Sequence, residues 1–335
     1  MDRIIVGSGR CGSTLLSRML AENPDTLSVF EHFNGLDVGT RFAADPATGG
    51  AFAQLISAEQ PFVTAVLRRG YQVAEITYPF GPSARYRRGA PLPWILVSML
   101  PRLSDTPDEL FDEVIAFAHS LRPAPMIEHH RALFEWLVVR FDRKFWIERS
   151  GSSIDYLAEL DEQFPAARFL HIHRDGREAA LSMREHHAYR LPISLMYGAP
   201  ADGGIPLAEL GPLDLHAEPT DDDPISQVLK SRPSAHYFGQ YWNDQILRGH
   251  EARAAIARDR YQEVWFEDLV ADPRVELLKI SEFFEIDPSR GGWLERAIEL
   301  VRGVPPSRLQ DLSDNEAKAL LDVVRPGCEV LGRDV

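Results

Sequence analysis

The chain has 335 residues, 44% of them apolar and 26% charged, which excludes a disordered or fibrous protein. Its 50 acidic against 36 basic residues leave a net charge of -14, so nucleic acid and anionic membranes are repelled and an anionic ligand must be held by a local cluster of donors and cations. The two cysteines, Cys11 and Cys328, lie at opposite ends without metal-type spacing; this excludes a disulfide framework or a structural zinc cluster and fits a reducing compartment.

The apolar run 3–6 ends in glycine-rich sequence, and Leu15, Leu16, Met19 and Leu20 then repeat at helical spacing, which predicts strand, loop and a helix over 13–22. No apolar signal region precedes this strand, and the apolar stretch around 91–101 is too short and too rich in proline to cross a membrane, so a cytoplasmic protein without a membrane span is expected. A second strand at 26–30 makes a right-handed βαβ unit. Helical patterns follow at 108–121 and 128–141, then a strand at 144–147, a helix at about 154–164, a buried strand at 168–173 and a helix starting near Gly176. A helix at roughly 235–258, a strand at 264–266 and a helix at 274–284 complete the series. This alternation predicts an α/β fold of three layers, a mostly parallel sheet with helices on both faces, as a single domain over 1–335. The stretches 78–103 and 191–233, rich in proline, read as long loops of the kind that form lids or binding loops.

The loop Gly7-Ser8-Gly9-Arg10-Cys11-Gly12-Ser13-Thr14 satisfies two phosphate-binding templates. It is G-x-G-x-x-G after a strand, with Glu31 near the roughly 20-residue offset at which dinucleotide-binding proteins place a ribose carboxylate. It is also G-x-x-x-x-G followed by hydroxyls, with Ser13 where a nucleotide-hydrolysing loop needs lysine. Both templates let backbone N–H groups approach an anion at a helix N-terminus. The paired hydroxyls Ser13 and Thr14 favour direct phosphate bonding, and the missing lysine disfavours ordinary ATP hydrolysis, although Arg10 puts a cation in the loop.

The segment GSGRCGSTLLSRML resembles the 5′-phosphosulfate loop of sulfotransferases that use 3′-phosphoadenosine 5′-phosphosulfate (PAPS), and RFLHIHRDGREAALSMREH resembles their 3′-phosphate segment, with an arginine at the strand end and a serine eight residues on. Two further stretches, FWIERSGSSIDYLAELDEQFPAARFLHIHRD and YQEVWFEDLVADPRVELLKISEFFEID, are similar to segments of bacterial members. The sequence departs from them in carrying Arg149-Ser150-Gly151 where many relatives have Lys-Thr-Pro, and Phe266 where a tyrosine is frequent before Glu-Asp-Leu.

The resemblance implies a sheet of the P-loop nucleotide-kinase-like type and sulfuryl transfer from PAPS to a hydroxyl of a small-molecule, glycan or lipid acceptor, with the 3′,5′-bisphosphate PAP as product and no metal required. Ser8, Gly9, Arg10, Cys11, Gly12, Ser13, Thr14, Arg174 and Ser182 then hold the nucleotide, and insertions at about 36–140 and 188–235 form the acceptor-side region. Arg10 is the expected cation on the bridging oxygen and the 5′-phosphate, and Arg149 the second cation or else a strand-end arginine in an ordinary ion pair. Glu31 is the preferred general base and His32 the alternative; neighbours on a strand point to opposite faces, so one of the two reaches the site. Two other readings use the same loop: a kinase-like phosphotransferase, which requires Mg²⁺ and a triphosphate, and a nucleotide-binding protein without turnover.

The sequences Glu128-His129-His130, His171-Ile172-His173 and Glu185-His186-His187 lack a recognised zinc spacing and read as core and surface histidines, and Asp221-Asp222-Asp223 as a solvated loop. Tyr71, Tyr78, Phe80, Tyr86 and Trp94 suit an apolar or sugar-like acceptor and suit equally the packing of a helical insertion.

Overall fold

The computed structural model describes residues 1–82 and 84–333. The chain divides into two compact units, one made of Met1–Leu55, Asp112–Asp175 and Gln245–Pro306, the other of Ile56–Phe111, Gly176–Asp244 and the chain from Ser307 onward.

The first unit is an α/β fold around a five-stranded sheet: β1 Arg3–Gly7, β2 Thr26–Phe30, β3 Phe145–Arg149, β4 Arg168–His173 and β5 Tyr261–Trp265, in the order β2-β3-β1-β4-β5. Every pairing is parallel. β1 is a nearly continuous apolar run, and β4 is buried after its first residue although it carries two histidines, as suits strands covered on both faces. Ile5, Ile147, Leu170, Ile172 and Val264 meet α1 (Ser13–Ala21) and the helices Pro273–Phe284 and Trp293–Glu299 in one core. On the opposite face the Trp146 ring packs on Phe134 of the helix Met126–Arg140 and on Phe164 at the end of the helix Leu157–Gln163. Helices thus cover both faces of the sheet.

The second unit is helical. Its helices include Pro61–Arg68, Gly176–Arg184, His187–Tyr197, Pro224–Lys230 and Asp314–Val330. The stretch 78–103 contains the helix Trp94–Ser98, and 191–233 carries most of His187–Tyr197 and all of Pro224–Lys230, so neither is simply a loop. Pro192 sits inside a helix that Gly198 ends in the left-handed conformation, and Asp223 caps the next through the Ile225 and Ser226 N–H groups. Proline and aspartate here mark helix content rather than its absence. Asp223 also pairs with Arg69 at 2.7 Å, so it is not solvated loop.

The last strand ends one residue before its expected end: Phe266 opens the helix Phe266–Ala271, whose first turn carries Glu267 and Asp268 where the helix dipole favours acids.

Candidate active site

The loop between β1 and α1 is shaped by two glycines. A Cβ on Gly7 would lie 2.6 Å from Cys11 Sγ and 3.0 Å from the Ile172 carbonyl oxygen, and one on Gly12 would run into the Phe266 ring. Gly12 also has φ 95°, which side chains rarely adopt. Cys11 is buried in the core between α1 and the sheet, so its thiol packs the turn. The α1 helix starts at Ser13 with no side-chain cap, so the positive end of its dipole lies at the loop. Arg10 follows Ser8 and Gly9 in that loop with φ 58°, in the left-handed region. Glu31, just past β2, has φ 54°. Each such residue costs about 1–3 kcal/mol, and strain of this kind persists where the surroundings enforce it.

Two arginines meet this loop. In the sheet β1 lies between β3 and β4, and each neighbour is followed or ended by an arginine that reaches across. From β3, Arg149 donates through Nε to Ser13 Oγ at 2.9 Å and through Nη2 to Ser13 Oγ at 2.6 Å and Thr14 Oγ1 at 2.7 Å. Its Nη1 is ion-paired to Glu31 Oε1, and the guanidinium lies 4.6 Å from the Phe30 ring centre. From the end of β4, Arg174 donates through Nη1 to the Arg10 carbonyl at 3.1 Å and lies 5.0 Å from the Phe266 ring centre. Arg149 is therefore both a cation at the loop and a member of a buried ion pair.

The Glu31 carboxylate also accepts from the Gly151 N–H at 2.9 Å and from Asn34 Nδ2 at 3.1 Å. A proline at position 151 would have no N–H to give. The departures at Arg149 and Gly151 thus each supply a donor to Glu31. Ser150 Oγ donates to Glu148 Oε1 at 2.5 Å and accepts from the Phe33 N–H at 3.0 Å. Burial pushes the Glu148 carboxyl up to about 8, with the nearby Glu31 charge acting in the same direction. Asn34 and Glu148 carry no motif, and only their contacts identify them.

His32 turns away from Glu31. It is fully buried, its Nε2 lies 2.8 Å from His130 Nδ1, and His130 Nε2 lies 2.9 Å from the Arg41 carbonyl oxygen. Burial holds both rings neutral, with His130 lowered to about 3. His129 is stacked on Phe52 and bonded to the Ala47 carbonyl oxygen. Ser182 is buried on the helix Gly176–Arg184 of the second unit. In that unit Tyr78 is buried with its hydroxyl donating to Asp108 and its ring against Phe80 and Tyr86, Trp94 is buried, and Tyr71 stacks on His187. These aromatics pack the helical segment.

Solved sulfotransferases resemble this chain. A sulfotransferase domain from the Synechococcus PCC 7002 olefin synthase aligns at 18% identity and TM-score 0.46, over 100% of this chain and 95% of that one. Sulfotransferase STF9 from Mycobacterium avium aligns at 16% identity and TM-score 0.47, over 100% and 77%. Mouse sulfotransferase SULT7A1 complexed with PAP aligns at 9% identity and TM-score 0.42, over 98% and 83%. No family model and no curated protein matches the sequence. The functional reading therefore rests on the residues of the loop and its two arginines. Among the described residues no helix is long and apolar enough to cross a membrane.

Proposed function

We propose that the chain is a sulfotransferase that moves the sulfuryl group of PAPS to a hydroxyl of a small-molecule, glycan or lipid acceptor, releasing PAP. The observation that carries this reading is Arg149, whose guanidinium touches both hydroxyls at the start of α1. A helix N-terminus with two hydroxyls, a buried guanidinium and a glycine held open against Phe266 suits a 5′-phosphate. Arg174, which donates to the Arg10 carbonyl of the same loop, is the assigned 3′-phosphate ligand.

In sulfuryl transfer an acceptor oxygen attacks sulfur while charge grows on the oxygen that bridges to the leaving nucleotide. Arg10 and Arg149 are the groups that stabilise this charge, a contribution of the oxyanion-hole kind. Glu31 is assigned as the base that takes the acceptor proton, because it lies in the Arg149 network, whereas His32 is fully buried against His130.

Calorimetric titration with adenosine 3′,5′-bisphosphate and with Mg·ATP, followed by a PAPS-dependent screen of metabolites, glycans and lipids with mass detection of the product, tests the reading. Preferential bisphosphate binding and a product heavier by one sulfuryl group are expected. Tight Mg·ATP binding without bisphosphate binding overturns it in favour of a phosphotransferase, and bisphosphate binding without turnover of any acceptor in favour of a non-catalytic binder.

A further inference from the structure

The sheet face opposite α1 carries a cluster with no part in the proposed transfer. His171 and His173 stand at i and i+2 on β4, so their side chains share a face, and the parallel register sets Glu263 of β5 beside His171. The three offer ligand atoms that all lie within 4.8 Å of one another. The two imidazoles are 3% and 1% exposed, with ring centres 3.7 Å apart.

Buried imidazoles ordinarily have partners for their nitrogens. Here His171 Nδ1 lies 2.6 Å from the Tyr261 hydroxyl, but His171 Nε2 and both nitrogens of His173 have no hydrogen-bond partner among the described residues. His173 Nε2 approaches Glu263 Oε1 only to 3.6 Å. With His171 Nδ1–H donating to Tyr261, the unpartnered Nε2 keeps its lone pair for a ligand, an outer-shell arrangement of the kind that orients a metal-bound histidine.

We propose that His171, His173 and Glu263 form a binding site for a divalent transition metal of the zinc class. Two neutral imidazoles and one carboxylate are a donor set that Zn²⁺ accepts, leaving a further position for water. A tetrahedral site with bonds of about 2.0–2.1 Å places neighbouring donors roughly 3.3 Å apart, so the cluster must contract. Glu263 can make that movement because its side chain is 43% exposed, whereas the histidines are fixed on the strand. Arg253 is the opposing charge: its Nε lies 3.6 Å from Glu263 Oε1 and its guanidinium 5.1 Å from the Tyr261 ring centre. Binding exchanges that exposed cation for the metal. The bound ion ties β4 to β5 directly before Arg174. Sequence spacing hides the site, since the third ligand comes from a neighbouring strand far along the chain.

The test uses the full chain stripped with a chelator and titrated with Zn²⁺ by calorimetry and with Co²⁺ by visible absorption. One ion per chain, a higher melting temperature with Zn²⁺ and a Co²⁺ spectrum of low coordination number are expected. Glu263→Gln, at an exposed side chain, should weaken binding at least about tenfold, and His173→Gln should abolish the Co²⁺ spectrum, while the exposed His216→Ala changes neither. Absence of stoichiometric binding, or binding unaffected by Glu263→Gln, overturns the site; if His173→Gln does not fold, Glu263→Gln alone decides.

Discussion

The Gly151 backbone N–H donates to one oxygen of the Glu31 carboxylate at 2.9 Å, while Arg149 holds the other oxygen. Both groups of the Arg149–Glu31 pair are almost wholly buried, so removing one charge strands the other. Glu31→Gln is expected to cost about 3–5 kcal/mol in stability, because the amide cannot balance a buried guanidinium. Where the variant stays folded, turnover should fall by roughly 10²–10⁴, the usual contribution of a positioned base. Urea unfolding of Glu31→Gln, Arg149→Met and the double variant gives the pair coupling. Additive losses would mean that the two residues act separately.

Arg174 touches the loop through the Arg10 carbonyl. A charge-assisted contact to a phosphate contributes roughly 1.5–3 kcal/mol, so Arg174→Ala should weaken adenosine 3′,5′-bisphosphate by roughly 10- to 100-fold. An analogue lacking the 3′-phosphate should lose much less. Equal losses in calorimetry would show that Arg174 supports the loop and does not bind the 3′-phosphate.

Gly12 combines φ 95° with the Phe266 ring lying where a Cβ would go. Gly12→Ala should therefore both destabilise the chain and weaken bisphosphate binding. Adding Phe266→Leu should recover only part of the stability, since it makes room without relieving the backbone. Full recovery in thermal unfolding would mean that the ring alone demands glycine.

The parallel sheet was legible because β1 is an apolar run and β4 reads as a buried strand, each followed by a helix start, and the loop glycines report a local backbone requirement. Arg149 was legible through the resemblance, which sets it where many relatives carry lysine. Its contacts were not, since Ser13, Thr14 and Glu31 reach it only through the β2-β3-β1 order. The helices Trp94–Ser98 and Pro224–Lys230 were hidden by the prolines around them, which read equally as loop punctuation and as helix starts. Glu148 and the His171–Glu263 proximity were illegible for a related reason: burial and cross-strand register leave no spacing to read along the chain.

Glu148 makes the stability of the fold depend on pH in a direction that can be derived. Burial raises its carboxyl from the ordinary 4.5 to about 8, so between these values the folded chain keeps a proton that the unfolded chain has lost. Stability from this group is fully present below pH 4.5 and is lost as pH rises toward 8, by up to about 1.4 kcal/mol per pH unit. His130, lowered to about 3 by burial, acts oppositely: its contribution grows as pH rises from 3 to the ordinary 6.5. The whole-protein profile mixes such groups, so the informative quantity is the difference between parent and Glu148→Gln. The glutamine has nothing to ionise and can still accept from Ser150. The variant should gain on the parent steadily from pH 5 to pH 8, ending more stable by a few kcal/mol in urea unfolding. Parallel stability curves over that range would mean that Glu148 is ionised in the folded chain at neutral pH.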